Sequence, residues 1–133
     1  KEPKKALFNA ELIIIAPSNP LVSIKPILEI PGFKSIIQKN HKKVIAISPL
    51  IQGKAVKGPA SKMLKQLGFK PNSFSCMQMY KDICETFILD TSDIGFEKQF
   101  ISLNQKPLFT DTLMTNLEDK RRLAKFIINH TID

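Results

Sequence analysis

Short apolar runs alternate along this chain with stretches of helical character. Leu12-Ile13-Ile14-Ile15-Ala16 is continuous, rich in β-branched residues and bounded by Pro17, the pattern of a strand buried on both faces of a parallel sheet. Val44-Ile45-Ala46-Ile47-Ser48 repeats it and stops at Pro49. Thr86-Phe87-Ile88-Leu89 and Pro107-Leu108-Phe109-Thr110 follow, each closed by an aspartate, Asp90 and Asp111.

Helices are expected between these runs. Ser23 caps a short one through Ile30, with Pro26 in its first turn and Pro31-Gly32 as its stop; Phe33 to Lys39 forms another turn or two. Pro59 to Leu67 has proline at its start and Gly68 at its left-handed end. Further helices begin at Asn72 or Ser73 and run to about Lys81, span Gly95 to Leu103, and close the chain over Leu117 to Asn129. The last carries Leu117, Leu123, Phe126 and Ile127 near one face, and Glu118 and Asp119 at its positive end. Strands alternating with helices predict an α/β fold with a doubly wound, Rossmann-like, mostly parallel sheet and helices on both faces. A chain of 133 residues fits one such domain, 1–133. Ligands of these sheets bind beyond the carboxyl ends of the strands, so four loops become candidate sites.

In the first loop, Pro17 to Ser23, free N–H groups at a helix start with Ser18, Asn19 and Ser23 would make an anion cradle; a stiff turn capped by Ser23 is the plain alternative. The second, Ser48 to Pro59, is long for a strand-to-helix connection. Gly53 and Gly58 permit close backbone approach, and Lys54 and Lys57 offer positive charge to a phosphate; a solvated loop with surface lysines is the alternative. The third and fourth carry Asp90, Asp93, Asp111 and Thr112. Carboxylates there suit a magnesium ion or a ribose hydroxyl, and suit turns and helix caps equally well.

Composition narrows the classes. The hydrophobic share of 43% with 24% charged residues is that of a globular protein. No apolar run reaches the roughly 18 residues of a membrane span. No leader pattern is visible, although a chain opening on Lys1 rather than Met reads as processed or trimmed. The net charge of +8 favours anionic partners. Its lysines and arginines are dispersed, at Lys1, Lys4 and Lys5, at Lys39, Lys42 and Lys43, and at Lys120, Arg121 and Arg122, which reads as solvated faces. One tyrosine and no tryptophan leave little for base stacking and weigh against nucleic acid. Cys76 and Cys84 form no CxxC pair. On one helix they would stand about 12 Å apart, too far for a disulfide, so both read as buried free thiols in a reducing compartment. His41 and His130 lie near no nucleophile and read as surface residues.

Four motifs in one order then carry a resemblance. Ile14-Ile-Ala-Pro-Ser-Asn-Pro-Leu-Val-Ser-Ile24 with Pro26-Ile-Leu28, Ser48-Pro-Leu-Ile-Gln-Gly-Lys-Ala-Val-Lys-Gly-Pro-Ala60 with Met63-Leu64 and Leu67-Gly68, Phe87-Ile-Leu-Asp90 with Asp93, and Thr110-Asp-Thr-Leu-Met114 resemble the signatures of the 2-phospho-L-lactate transferase (CofD-like) family. They cover residues 10 to about 130 and correspond to the C-terminal half of a family member. The glycine-rich first loop and early aspartates of the family have no counterpart, so the isolated chain is expected to be inactive.

The resemblance implies a cytoplasmic transferase of coenzyme F-420 biosynthesis. It would move a phospholactyl group from lactyl diphosphoguanosine to a hydroxylated deazaflavin and release GMP. It further implies that Ser18, Asn19 and Ser23 cradle the diphosphate, that Gly53, Lys54 and Lys57 close on it with the lysines catalytic, and that Asp111 and Thr112 face substrate. Magnesium is implied, with ligands mostly outside this chain, and a homodimer is compatible with it. Two other readings stay open: a nucleotide-sugar-binding metabolic regulator of the related branch, whose corresponding loop is GPGS where this chain has PSNP, and a basic polyanion-binding domain.

Overall fold

The computed structural model describes residues 2–52, 54–55 and 59–131, with Lys54 and Ala55 described by backbone alone. Four strands, β1 (Ile13–Ile15), β2 (Val44–Ile47), β5 (Thr86–Asp90) and β6 (Lys106–Thr110), form a parallel sheet in the order β1-β2-β5-β6. Between β2 and β5 lies a small antiparallel hairpin, β3 (Leu50–Ile51) with β4 (Lys54–Ala55). The helices are α1 (Glu2–Asn9), α2 (Lys25–Leu28), α3 (Phe33–Lys39), α4 (Ala60–Gln66), α5 (Ser73–Gln78), α6 (Glu97–Ser102) and α7 (Leu117–Thr131). All four expected strands are present, and the fold is the expected Rossmann-like α/β arrangement.

Side chains of a strand alternate between faces, and the core divides accordingly. Ile13 and Ile15 of β1, Val44 and Ala46 of β2, and Phe87 and Leu89 of β5 point to one face. There they pack with Ile37 of α3, Leu64 of α4, Cys76 and Met77 of α5, and Phe100 of α6. Ile45, Ile47 and Ile88 point to the other face and meet Leu123 and Ile127 of α7. Helices therefore cover both faces. Phe100 anchors the larger layer, edge-on to Phe74 at 5.0 Å and tilted against Phe87 at 5.5 Å. Burying one such ring stabilises the fold by roughly 2–3 kcal/mol.

Four differences from the sequence reading have physical causes. β1 is not buried on both faces: it is an edge strand, and Ile14 is 46% exposed on the face that α7 covers only further in. Leu117 is likewise exposed, because the buried stripe of α7 is Leu123 and Ile127. Glu2–Asn9 is helical although its charges hide its apolar spacing; Leu7 packs on the core beside α3. The connection 48–59 opens with the β3–β4 hairpin, because Leu50 is fully buried and pulls the chain inward.

Local signals otherwise act as expected. Asn72 caps α5, its Oδ1 accepting from the Ser75 N–H at 2.8 Å. Gly68 follows α4 in the left-handed region at φ 86°, where other residues are strained. Cys76 lies on α5 but Cys84 lies in the turn before β5; both are buried and free. Among the described residues no helix is long and apolar enough to cross a membrane.

Candidate functional site

The carboxyl ends of β1, β2 and β6 open on one cleft of about 550 Å³. Pro17, Ser18, Asn19, Val22 and Ser23 line it from the loop after β1, and Ser48 and Pro49 from the end of β2. Thr112 and Met114 follow β6, Pro59 precedes α4, and Lys120 reaches in from α7. This is where a parallel sheet with helices on both faces leaves room, because neighbouring connections diverge from the strand ends.

The first loop is built around Asn19. Its Oδ1 accepts from the N–H groups of Leu21 at 2.9 Å and Val22 at 3.3 Å, while its backbone oxygen accepts from Ser23 and Ile24 at 2.9 and 3.3 Å. The resulting turn, Pro20–Ile24, is of the wide π type and leads into α2. Asn19, not Ser23, is therefore the cap. The backbone N–H groups of 21–24 are taken up inside the loop, and Ser18 N–H donates to Ala16 O at 2.7 Å. The backbone N–H groups expected to form an anion cradle are thus already engaged within the loop. The Ser18 and Ser23 hydroxyls line the cleft and make no hydrogen bond to the described residues. The Asn19 Nδ2 amide lies 3.4 Å from the Met63 sulfur of α4, which ties the loop to the far wall.

Asp90 and Thr112 link the ends of the two last strands. Asp90 Oδ1 accepts from Thr112 N–H at 3.0 Å and Oγ1 at 3.3 Å; its Oδ2 accepts from Ser92 N–H at 3.0 Å and Oγ at 2.7 Å. Burial works to raise the Asp90 pKa, but these bonds to the ionised form outweigh it and hold the carboxyl below its ordinary value. Asp111 is exposed and is not among the residues lining the cleft. Its oxygens meet Leu113 N–H at 3.1 Å and the Arg122 guanidinium at 3.7 Å. Of the two residues expected to face substrate, Thr112 lines the cleft and Asp111 is not among its lining residues.

The magnesium expectation meets no matching donor set here. Asp90 holds Ser92 and Thr112, Asp111 holds Arg122, and Asp93 is buried against Ser73. Among the described residues no group of three metal-ligating side chains converges.

Of the predicted site residues, the cleft brings together Ser18, Asn19, Ser23 and Thr112. Lys54 is placed on β4 by its backbone, and Gly53 and Lys57 lie outside the described residues. Sequence reasoning passed over Lys120. It sits in a Lys-Arg-Arg run that resembles a solvated face, yet its helix turn points it at the cleft. His41 and His130 are exposed as expected, His41 lying 3.9 Å from Glu85 and His130 stacked on Phe126.

Fold and cleft together define a Rossmann-like α/β domain with an open cleft at the carboxyl edge of its sheet. The chain belongs to the 2-phospho-L-lactate transferase CofD family, whose model it matches over residues 1–127. It is 38% identical over 124 residues to the 2-phospho-L-lactate transferase of Methanosarcina barkeri, covering 93% of this chain and 40% of that protein. It is 40% identical over 124 residues to that of Methanocaldococcus jannaschii, covering 93% and 38%. Against that of Methanosarcina acetivorans it is 35% identical over 128 residues, covering 96% and 41%. The chain thus spans about two fifths of the length of the curated relatives it matches.

Proposed function

We propose that this chain forms the donor-phosphate wall of a phospholactyl transferase. In the reaction, the terminal ribityl hydroxyl of a deazaflavin attacks the phosphorus that carries lactate in lactyl diphosphoguanosine. A new P–O bond forms, the P–O bond to GMP breaks with its electron pair leaving on the GMP phosphate, and the hydroxyl proton passes to solvent. Catalysis of such a transfer consists mainly of positioning and charge stabilisation.

The observation that carries the reading is the convergence of Ser18, Ser23, Thr112 and Lys120 on one cleft, in a chain of this family. Two serine hydroxyls donate to diphosphate oxygens, and the Lys120 ammonium offsets their charge. Among the described residues Lys120 has no ion-pair partner, so its charge faces the cleft uncompensated. The family resemblance adds Lys54 and Lys57 as further positive charge for the phosphates, and Gly53 as a position without a side chain to obstruct them. For magnesium the described residues offer no ligand set. We assign the protein to the cytoplasm, which its two buried free thiols support.

Calorimetric titration of GDP with magnesium, against ADP and UDP, tests the reading. Saturable binding that prefers GDP and weakens in Lys57→Ala is the expected result. Equal weak binding of all three, abolished by modest salt, would instead mark a generic basic surface.

A further inference from the structure

Three residues distant in sequence meet in the interior, one of them, Ser48, at the cleft lining. Ser48 ends β2, Ser73 opens α5 and Asp93 lies in the 3-10 turn after β5; all are at least nine-tenths buried. Ser73 Oγ donates to Asp93 Oδ2 at 2.8 Å, Ser48 Oγ donates to Ser73 Oγ at 3.0 Å, and the Leu50 N–H donates to Ser48 Oγ at 3.2 Å. The Gln52 N–H donates to Asp93 Oδ2 at 3.3 Å.

Each hydroxyl has one proton to donate, and an ionised carboxylate only accepts. Ser73 also lies 3.1 Å from Leu50 O, and Ser48 lies 3.3 Å from it, but the shorter contact to Asp93 claims the Ser73 proton. The run then has one direction, from Leu50 through Ser48 and Ser73 to Asp93. Its two ends grip the amides on either side of Ile51. Gln52, at φ 53°, is in the left-handed region that few non-glycine residues occupy, and the carboxylate bond steadies it there. Apolar packing could fill this volume without burying a carboxylate that has no ion-pair partner among the described residues. What the network adds is a fixed seat for the hairpin.

We propose that Asp93 is a positioning residue: through Ser73 and Ser48 it holds the β3–β4 hairpin, which follows directly on the Ser48–Pro49 wall of the cleft and bears Lys54 on its second strand. The link to ligand rests on the reading of that cleft as a diphosphate site; Ser48 belongs both to the network and to the cleft lining.

The test compares Asp93→Ala, Asp93→Asn and Ser73→Ala with Ile88→Val, a conservative change in the core cluster on the opposite face. Amide hydrogen exchange at Leu50 and Gln52 is read against amides of β5, and GDP titration is run on each variant. In Asp93→Ala the two hairpin amides should exchange about tenfold faster relative to β5, and GDP should bind about fivefold more weakly, as expected for a lost buried hydrogen bond. Asp93→Asn, which keeps an acceptor, should fall between, and Ile88→Val should leave both ratios unchanged. The assignment is overturned if the hairpin amides gain no more than β5 in all three network variants, or if Ile88→Val weakens GDP binding as much as they do. Should the unaltered chain bind no GDP, the reading of the cleft fails by itself, and the exchange ratio still decides whether Asp93 holds the hairpin.

Discussion

Asp90 and Thr112, 22 residues apart, join the carboxyl ends of β5 and β6 by two hydrogen bonds to one carboxylate oxygen, at 3.0 and 3.3 Å. The contact sets where the chain leaves β6 and so aims Thr112 into the cleft. It also makes stability depend on the charge of Asp90. The folded-state pKa is lowered, so the ionised group contributes stability that is fully present above its unfolded value, about 3.9. That contribution is lost as pH falls through the folded value. Asp90→Asn should flatten the decline of the urea midpoint from about pH 5 downward and cost about 1 kcal/mol at neutral pH, in line with a lost cap. Identical acid limbs for the two proteins would show that Asp90 carries none of the dependence.

Asn19 has two separable duties. Its Oδ1 caps the Pro20–Ile24 turn, and its position shapes the cleft wall. Asn19→Ala should destabilise the protein by about 1 kcal/mol in urea denaturation. Asn19→Asp keeps the acceptor and should retain most of the stability, yet its charge should repel a diphosphate and weaken GDP binding at least as much as alanine does. Equal affinity in the aspartate variant and the unaltered chain would remove the phosphate from this wall.

Lys120 stands on the exposed side of α7, so its truncation touches little packing. Lys120→Ala should leave the urea midpoint within about 0.5 kcal/mol of the original. GDP affinity should fall about fivefold, the loss expected from one partly solvated charge contact. The difference should shrink as salt rises, because screening weakens the contact that was removed.

The thiols report on the integrity of the larger core layer. Burial pushes Cys76 up to about 12 and Cys84 likewise to about 12; the Cys84 thiol also donates to the oxygens of Val44 at 3.2 Å and Thr86 at 3.0 Å, bonds that only the protonated form can make. Neither forms reactive thiolate at pH 8 in the folded chain. A disulfide reagent such as dithiobis-nitrobenzoate should therefore modify both only as fast as the protein unfolds, with the rate rising along the urea transition. Prompt labelling of one thiol in native buffer would show an open path into that layer.

Phe100 tests the same layer by packing. It is fully buried between Phe74 and Phe87, and Phe100→Ala should cost about 3–5 kcal/mol in urea denaturation. A loss below about 1 kcal/mol would mean that α6 closes over the void.

The chain's own pattern determines the sheet and most of its helices, because those signals are local. The four sheet strands follow from short apolar runs ended by proline or aspartate, and α4 and α5 from Pro59, Gly68 and Asn72 at their ends. The alternation within Val44–Ile47 already divides the core between two faces. The family and the Pro17–Ser23 and Thr112 sides of the cleft are legible for a similar reason, since those residues lie where strands end. Tertiary structure alone decided the rest. Whether Ile14 is covered depends on β1 being an edge strand. Whether Lys120 faces solvent or the cleft depends on how α7 lies across the sheet. That Ser48, Ser73 and Asp93 form one network depends on β2, α5 and the turn after β5 converging. Each is set by the packing of elements far apart in the chain, and no spacing along the sequence records the distance between them.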